Sequence, residues 1–362
     1  QTRKRLCCSA PPGWGGRAPC SGAPCAPAES MVAPFAPAGR ILSPMSPDLR
    51  RKLLLSLGFA LVIYAGFVLW SDFAALEAAL IDFPWSWLFP VILLTLANYT
   101  MRLLRWHWWL HLLGVPIRLY VPLRIFGIGM MMVMTPGKAG ELLKSYMVRN
   151  VTGTPMSTTA PTIVAERLID GAAMILLAGI GLFAFPDPRA QIVATAVAMV
   201  FVAGVAIIQY RPLALKMLAL GERIPVVKKF AHSINLMYES SYTIFKPEHL
   251  LPSLLIGMLS WAMVGSAYGI VLVGLGTAAT WDTLLKAIFI FNISTVIGAL
   301  LALPGGLGGV EGSLIFQSRR LLDLSVAVAT AAALLTRFVT LWMGVGLGVV
   351  SFLLWPDLLA GS

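Results

Sequence analysis

The sequence predicts an all-α polytopic membrane protein: a helix bundle with about six full spans plus two re-entrant or discontinuous helices (up to eight spans), built as an inverted repeat. Three observations lead there. Of 362 residues, 58% are hydrophobic and only 12% charged, with a mean hydropathy of +0.82, whereas about a quarter of the residues in soluble domains are charged. The apolar residues gather into stretches of the ~20 residues that a helix needs to cross a ~30 Å hydrocarbon layer. Finally, one signature occurs twice: a glycine-rich turn deep in apolar sequence, then a glutamate, then an arginine 26 positions later. It reads Thr135-Pro136-Gly137-Lys138-Ala139-Gly140-Glu141 with Arg167, and Leu303-Pro304-Gly305-Gly306-Leu307-Gly308-Gly309-Val310-Glu311 with Arg337.

Residues 1–45 are rich in Pro, Gly, Ala and Cys and begin at Gln1. They are expected to be a disordered or non-native extension, with the true start at Met31 or Met45. Cys7, Cys8, Cys20 and Cys25 all fall there, without a Cys-x-x-Cys pair or a histidine cluster, so no zinc site is expected. The membrane domain is then 46–362. Its first span, near 53–71, follows Arg50-Arg51-Lys52 and lacks the small-residue cleavage site of a secretory signal. Further spans are expected near 86–113, 160–184, 190–210, 251–275 and 327–355, with a first repeat over about 86–184 and a second over about 251–355.

Two apolar stretches, 120–135 and 283–303, run straight into the two signatures. Proline removes a donor and glycine frees the backbone, so a helix should stop at Pro136, Gly137 and Gly140, and again at Pro304, Gly305, Gly306 and Gly308. In lipid the released backbone groups need protein or cavity partners, which makes both stretches candidates for broken helices around a central site.

Orientation follows the basic loops. Arg211, Lys216, Arg223, Lys228, Lys229 and Lys246 crowd 211–249, while Pro186-Asp187-Pro188-Arg189 is short and nearly neutral. The N-terminus and the 211–249 loop are therefore expected in the cytoplasm. The chain then closes consistently only if the two signatures approach the midplane from opposite faces. Arg319 and Arg320 would lie outside, against that trend, unless they are buried near the site or 283–303 crosses fully.

A charge within a bilayer costs about 2.5–3.5 kcal/mol on insertion scales, so each one is a site candidate. Glu141 should open a helix, where its carboxylate complements the dipole. Lys144 and Arg149 follow it, as grips for lipid phosphate or as ordinary inner-surface positives. Glu166, Arg167 and Asp170 should pair among themselves or with Glu141. Arg337 stands nearly alone in a span of small and apolar residues and needs a carboxylate or an anionic ligand, with Glu311 the nearest candidate by the logic of the repeat. Arg102 and Arg105 share a face beside Trp106, Trp108 and Trp109, which fits a snorkelling interfacial belt or headgroup binding. His107 and His111 lack the glutamate of a zinc protease. Gly344, Gly346 and Gly348 suit close helix contact. No catalytic constellation, metal site or cofactor motif is present, and the net charge of +11 borders apolar segments as topology signals do, so nucleic acid is not an expected partner.

Pro136, Gly140-Glu141 with Lys144 and Arg149, Glu166-Arg167 with Asp170, Pro304-Gly305-Gly306-Leu307-Gly308 with Glu311, and Arg337 together resemble the lysylphosphatidylglycerol synthase transmembrane-region family. It is also known as the flippase-like domain or UPF0104 membrane proteins. The resemblance covers essentially all of 46–355. In the family's best-known member this region moves lipid, and a separate cytosolic domain transfers lysine from its tRNA to phosphatidylglycerol. This chain stops at Ser362, so the resemblance implies the flippase-like half without aminoacyl transfer. It implies a multi-pass protein of the bacterial cell (inner) membrane that moves an anionic or polyprenyl-linked lipid between leaflets. Its partners would be membrane lipids, a homo-oligomer or a separate lipid-modifying enzyme. Two rival classes are a membrane enzyme acting on a lipid-linked substrate and a non-catalytic subunit of an envelope-lipid synthase.

Overall fold

The computed structural model of the protein describes residues 73–134, 140–181, 239–301 and 303–358, with single helical positions at 58, 65, 66, 192, 195 and 199. The extension 1–45, most of the expected spans 53–71 and 190–210, the basic loop up to residue 238, and the break residues Pro136 and Gly137 lie outside the described residues.

Nine helices carry the described part: α1 Phe73–Ile81, α2 Leu88–Leu112, α3 Tyr120–Met131, α4 Leu143–Thr152, α5 Met156–Gly181, α6 Pro247–Gly274, α7 Trp281–Leu300, α8 Gly309–Leu321 and α9 Val326–Leu354. There is no strand among the described residues. Helix α2 with its preceding turn, α6, α7 and α9 are each long and apolar enough to cross a membrane. At 26 residues α5 is as long, but Glu166, Arg167 and Asp170 interrupt its apolar run. Local chemistry sets the ends. The Thr280 hydroxyl accepts from Thr283 N–H to open α7, and Ser325 does the same for Val328 at the start of α9. Gly153, at φ +72°, closes α4 in the left-handed conformation that costs glycine nothing.

The broken-helix plan occurs twice. Helix α3 tightens into a 3₁₀ turn at Met132–Met134 before the first break, and α4 follows that break. Helix α7 ends at Leu300, Pro304–Gly306 forms one 3₁₀ turn, and α8 begins at Gly309. The stretch 283–303 thus contains a helix of spanning length, yet the chain turns back behind it.

Helix α9 shows where each hairpin comes from. Its second half lies antiparallel to α3. Gly348 rests on the Met131 backbone, Gly127 faces Ser351, and the Arg124 guanidinium covers the Trp355 ring at 5.1 Å. Helix α4 returns to that same end, where the Asn150 amide donates to the Leu358 carbonyl. The first half of α9 pairs instead with α8, from Glu311 against Arg337 to the short link at 322–325. The hairpins therefore arrive from opposite ends of α9 and meet near its middle, where Gly305 sits against Met134 and Leu341. Just there α9 loosens into a π-helical turn, Phe338–Trp342, a device that recurs at functional sites.

The two repeats also interlock. While α3 lies on α9, α7 lies on α5, with Gly181 against Leu285 and Phe289. Helices α2 and α6 cross at Asn98, whose amide donates to the Ser260 carbonyl and hydroxyl. Of the three glycines expected to bring helices close, Gly344 meets Tyr99 and Gly348 meets Met131, but Gly346 faces open space. The first two are four apart, one helical turn, so they share a face that Gly346 cannot. Buried apolar side chains form two main clusters, one around Tyr268, Phe291 and Leu314 and the other around Trp106, Trp109 and Ile125, with the buried charges set among them.

Candidate functional site

A cavity of about 810 Å³ is lined by Val133 and Glu141, on either side of the first break, and by Gly305 and Gly306 in the second. That size is within the range of small-molecule pockets, about 300–1,000 Å³. Both repeats line it: Glu141, Glu166 and Arg167 from the first, Gly305, Gly306 and Arg337 from the second. Most of the remaining wall is apolar.

The second repeat contributes a tight clasp. Arg337 donates from Nε to Glu311 Oε1 at 2.7 Å and from Nη2 to the Gly305 carbonyl at 2.5 Å. The other oxygen of Glu311 accepts from Gly308 N–H at 2.8 Å. Glu311 has no solvent exposure. Gly305 and Gly306 adopt φ of +59° and +68°, which side chains seldom tolerate, and a Cβ on Gly305 would crowd Met134. Pro, Gly, Glu and Arg thus act as one unit, with the backbone of the break satisfied by the charged pair.

The first repeat contributes a network. Glu166 accepts from Arg102 and from Lys144, both at 2.7 Å, and Asp170 accepts from Arg105 at 2.5 Å. Arg167 approaches Glu166 at 3.2 Å, Glu141 at 3.4 Å and Asp170 at 3.9 Å. Lys144 also lies 5.3 Å from the Trp106 ring centre, and Arg105 lies 5.1 Å from that of Trp109, contacts that favour a desolvated cation.

Several sequence expectations change here. Arg105 is 1% exposed, and Trp106 and Trp109 are fully buried, so this face of α2 is not an interfacial belt. Its cations point inward because two carboxylates on α5 wait for them. Lys144 is buried in the network, whereas Arg149 is exposed at the end of α4 and takes no part in the cavity. Glu141 does sit in the turn that opens α4, but its carboxylate faces Arg167 across to α5. Pairing within the α5 run is secondary to pairing with α2 and α4. Arg319 and Arg320 are exposed at the far end of α8 and not buried at the site. His107 and His111 meet edge to face at 4.5 Å, and no metal-binding group of residues occurs among those described.

Sequence reasoning missed Tyr99, which lines the cavity and donates to the Thr340 carbonyl, and Asn98, buried at the helix crossing. A polar Asn-Tyr pair inside the apolar run of α2 was the available signal. The repeat is also unequal. Aligning Arg167 with Arg337 sets Glu166 and Asp170 opposite Thr336 and Thr340, and Lys144 opposite Leu314. The buried charge network belongs to one repeat alone.

Fold and site together define a class: a polytopic helical membrane protein in which two interlocked broken-helix repeats enclose a charged cavity. The model of the lysylphosphatidylglycerol synthase TM region matches residues 55–348, and the chain belongs to that family. Two relatives from Methanothermobacter thermautotrophicus, each described as a UPF0104 membrane protein, are similar to it. One is 28% identical over 234 residues, covering 59% of this chain and 68% of its own length. The other is 22% identical over 314 residues, covering 80% and 90%.

Proposed function

We propose that the protein is a translocator that passes the headgroup of an anionic or glycan-linked lipid between the leaflets of the bacterial cell membrane, without covalent change to the lipid. The observation that carries this reading is the cavity itself. It lies between two hairpins that come from opposite ends of the bundle, with charge at its centre and apolar wall around it. Such a site can face one side and then the other if the hairpins rock in turn. The apolar wall suits acyl or polyprenyl chains, and the buried cations suit a phosphate. The lipid is the partner this geometry calls for.

In reconstituted vesicles, fluorescent phosphatidylglycerol in the inner leaflet is expected to become accessible to dithionite in proportion to the protein present. Equal rates with and without protein would sink the translocation reading. Covalent alteration of the lipid, seen by mass spectrometry of the same vesicles, would move the protein to the enzymes.

The end of the bundle holding Arg118, Arg124, Arg149 and Lys246 is the proposed cytoplasmic end, since positive charge gathers there. That end also holds Glu239, Glu248 and Asp357, and the opposite end has Lys286, Arg319 and Arg320 with Asp82, Asp282 and Asp323, so among the described residues the basic ones number four against three. With the four native cysteines replaced, a cysteine at exposed Arg149 should react with an impermeant maleimide only from the cytoplasmic side. One at exposed Arg320 should react only from outside. Labelling of both from one side would refute this orientation.

A further inference from the structure

Both hairpins rest on α9, and each takes a different half of it. The first half, up to Arg337, is clasped to the second break through Glu311 and the Gly305 carbonyl. The second half carries α3 of the first hairpin, with Gly348 on the Met131 backbone and Gly127 against Ser351. The halves join at the π turn Phe338–Trp342. A π turn holds more residues than an α-helical turn does, so winding it into α-helix rotates one half against the other about their common axis.

Two hydroxyl groups act on this turn. The Tyr99 hydroxyl donates to the Thr340 carbonyl at 3.0 Å, and the Thr340 hydroxyl donates to the Thr336 carbonyl at 2.8 Å. In an α-helix the Thr340 carbonyl would accept from the N–H of residue 344. Tyr99 also touches α9 at that residue: a Cβ on Gly344 would lie 2.6 Å from the hydroxyl oxygen. One phenol thus stands at both ends of a single i, i+4 step, and a side chain inserted into the ladder is an identifiable cause of irregular helix. A threonine hydroxyl bonded four residues back loosens a helix further. Tyr99 is held in place by its neighbour Asn98, which makes the crossing of α2 with α6 at Ser260. Tyr99, Thr340 and Gly344 all line the cavity, so an oxygen acceptor that enters it competes for the same hydroxyl.

We propose that Tyr99 is the latch of a hinge: its hydroxyl holds α9 in the π-turned form, and its release lets the turn wind and moves the two hairpins relative to each other. This deepens the translocation reading and rests on it, by supplying the joint on which the hairpins rock.

The test is double electron–electron resonance on the full chain in lipid nanodiscs. The four native cysteines are replaced, and spin labels sit on cysteines at exposed Arg149, in the first hairpin, and exposed Arg320, in the second. Y99F keeps the ring and loses the donor, while G344A pushes the hydroxyl away from α9. Each is expected to raise the share of a second distance about two- to tenfold, as loss of one neutral hydrogen bond would. Deleting Phe338, whose side chain is 65% exposed, removes the extra residue of the π turn and leaves both halves in their present register. The deletion is expected to abolish the second distance and to make Y99F silent in the combined variant, which a loss of packing alone would not do. Distances unchanged in Y99F overturn the proposal, a comparison that stands even if the deletion variant fails to fold. So does a second distance that survives the deletion. The two readings separate cleanly. Distances that answer to Tyr99 in a protein that moves no lipid in vesicles defeat translocation alone. Translocation at the full rate by the deletion variant defeats the hinge alone.

Discussion

Replacing Glu166 by glutamine is expected to destabilise the protein by about 3–5 kcal/mol, the usual cost of removing one partner from a buried ion pair. Glu166 is 1% exposed and takes hydrogen bonds from Arg102 and Lys144 while Arg167 stands 3.2 Å away. Glutamine keeps the shape but leaves three cations facing a neutral amide in a medium that screens them poorly. Lys144→Met added to Glu166→Gln restores the charge balance with a side chain of similar reach, so the double variant should recover much of the loss. Unfolding midpoints in a detergent titration measure both. A Glu166→Gln protein as stable as the wild type would mean that the carboxylate carries no charge in the fold.

The second large effect is expected at the clasp. Glu311→Gln and Arg337→Gln should each cost about 3–5 kcal/mol, because each strands a buried charge. Arg337→Gln also takes a donor from the Gly305 carbonyl, and Glu311→Gln weakens the acceptor that holds Gly308 N–H. With both replaced no charge is left unpaired, so the double variant should be less damaged than the two losses added together. Close charged pairs have shown couplings of about 1.5–7 kcal/mol in such cycles. The matching cycle on Glu141 and Arg167 should give about 0–1 kcal/mol, since their nearest approach is 3.4 Å and Arg167 is partly exposed. Equal couplings in the two cycles would remove the distinction between the tight pair and the loose one.

That distinction was hidden in the sequence. Glu141 with Arg167 and Glu311 with Arg337 have the same residues at the same spacing, and Arg337 looked the more in need of a ligand because its helix is otherwise apolar. Its carboxylate is Glu311, the candidate that the repeat offered, at 2.7 Å, and the break adds the Gly305 carbonyl and holds that glutamate through Gly308 N–H. Arg167 looked well supplied, lying between Glu166 and Asp170 in the chain. On a helix, however, Glu166 points to α2 and α4, and both carboxylates are claimed by cations from elsewhere. The belt expected at Arg102 and Arg105 failed for the same reason. An arginine beside tryptophans reads as interfacial until an acidic face is packed against it.

The sequence by itself determined that the chain lies in a membrane, that it is helical, where two of its helices break, and that a glutamate and arginine mark each break. Composition, apolar length and the chemistry of proline and glycine are local properties, so they can be read without the fold. It also set the opposed approach of the two breaks, through the distribution of basic loops. The tertiary structure alone decided that each entering helix lies on the other repeat's span, that α2 supplies two cations to α5, and that the two arginines differ in commitment. Those are matters of which side chains converge across helices far apart in the chain. A buried charge is satisfied by whatever opposite charge is brought within about 3 Å of it, and spacing along a sequence does not report that distance.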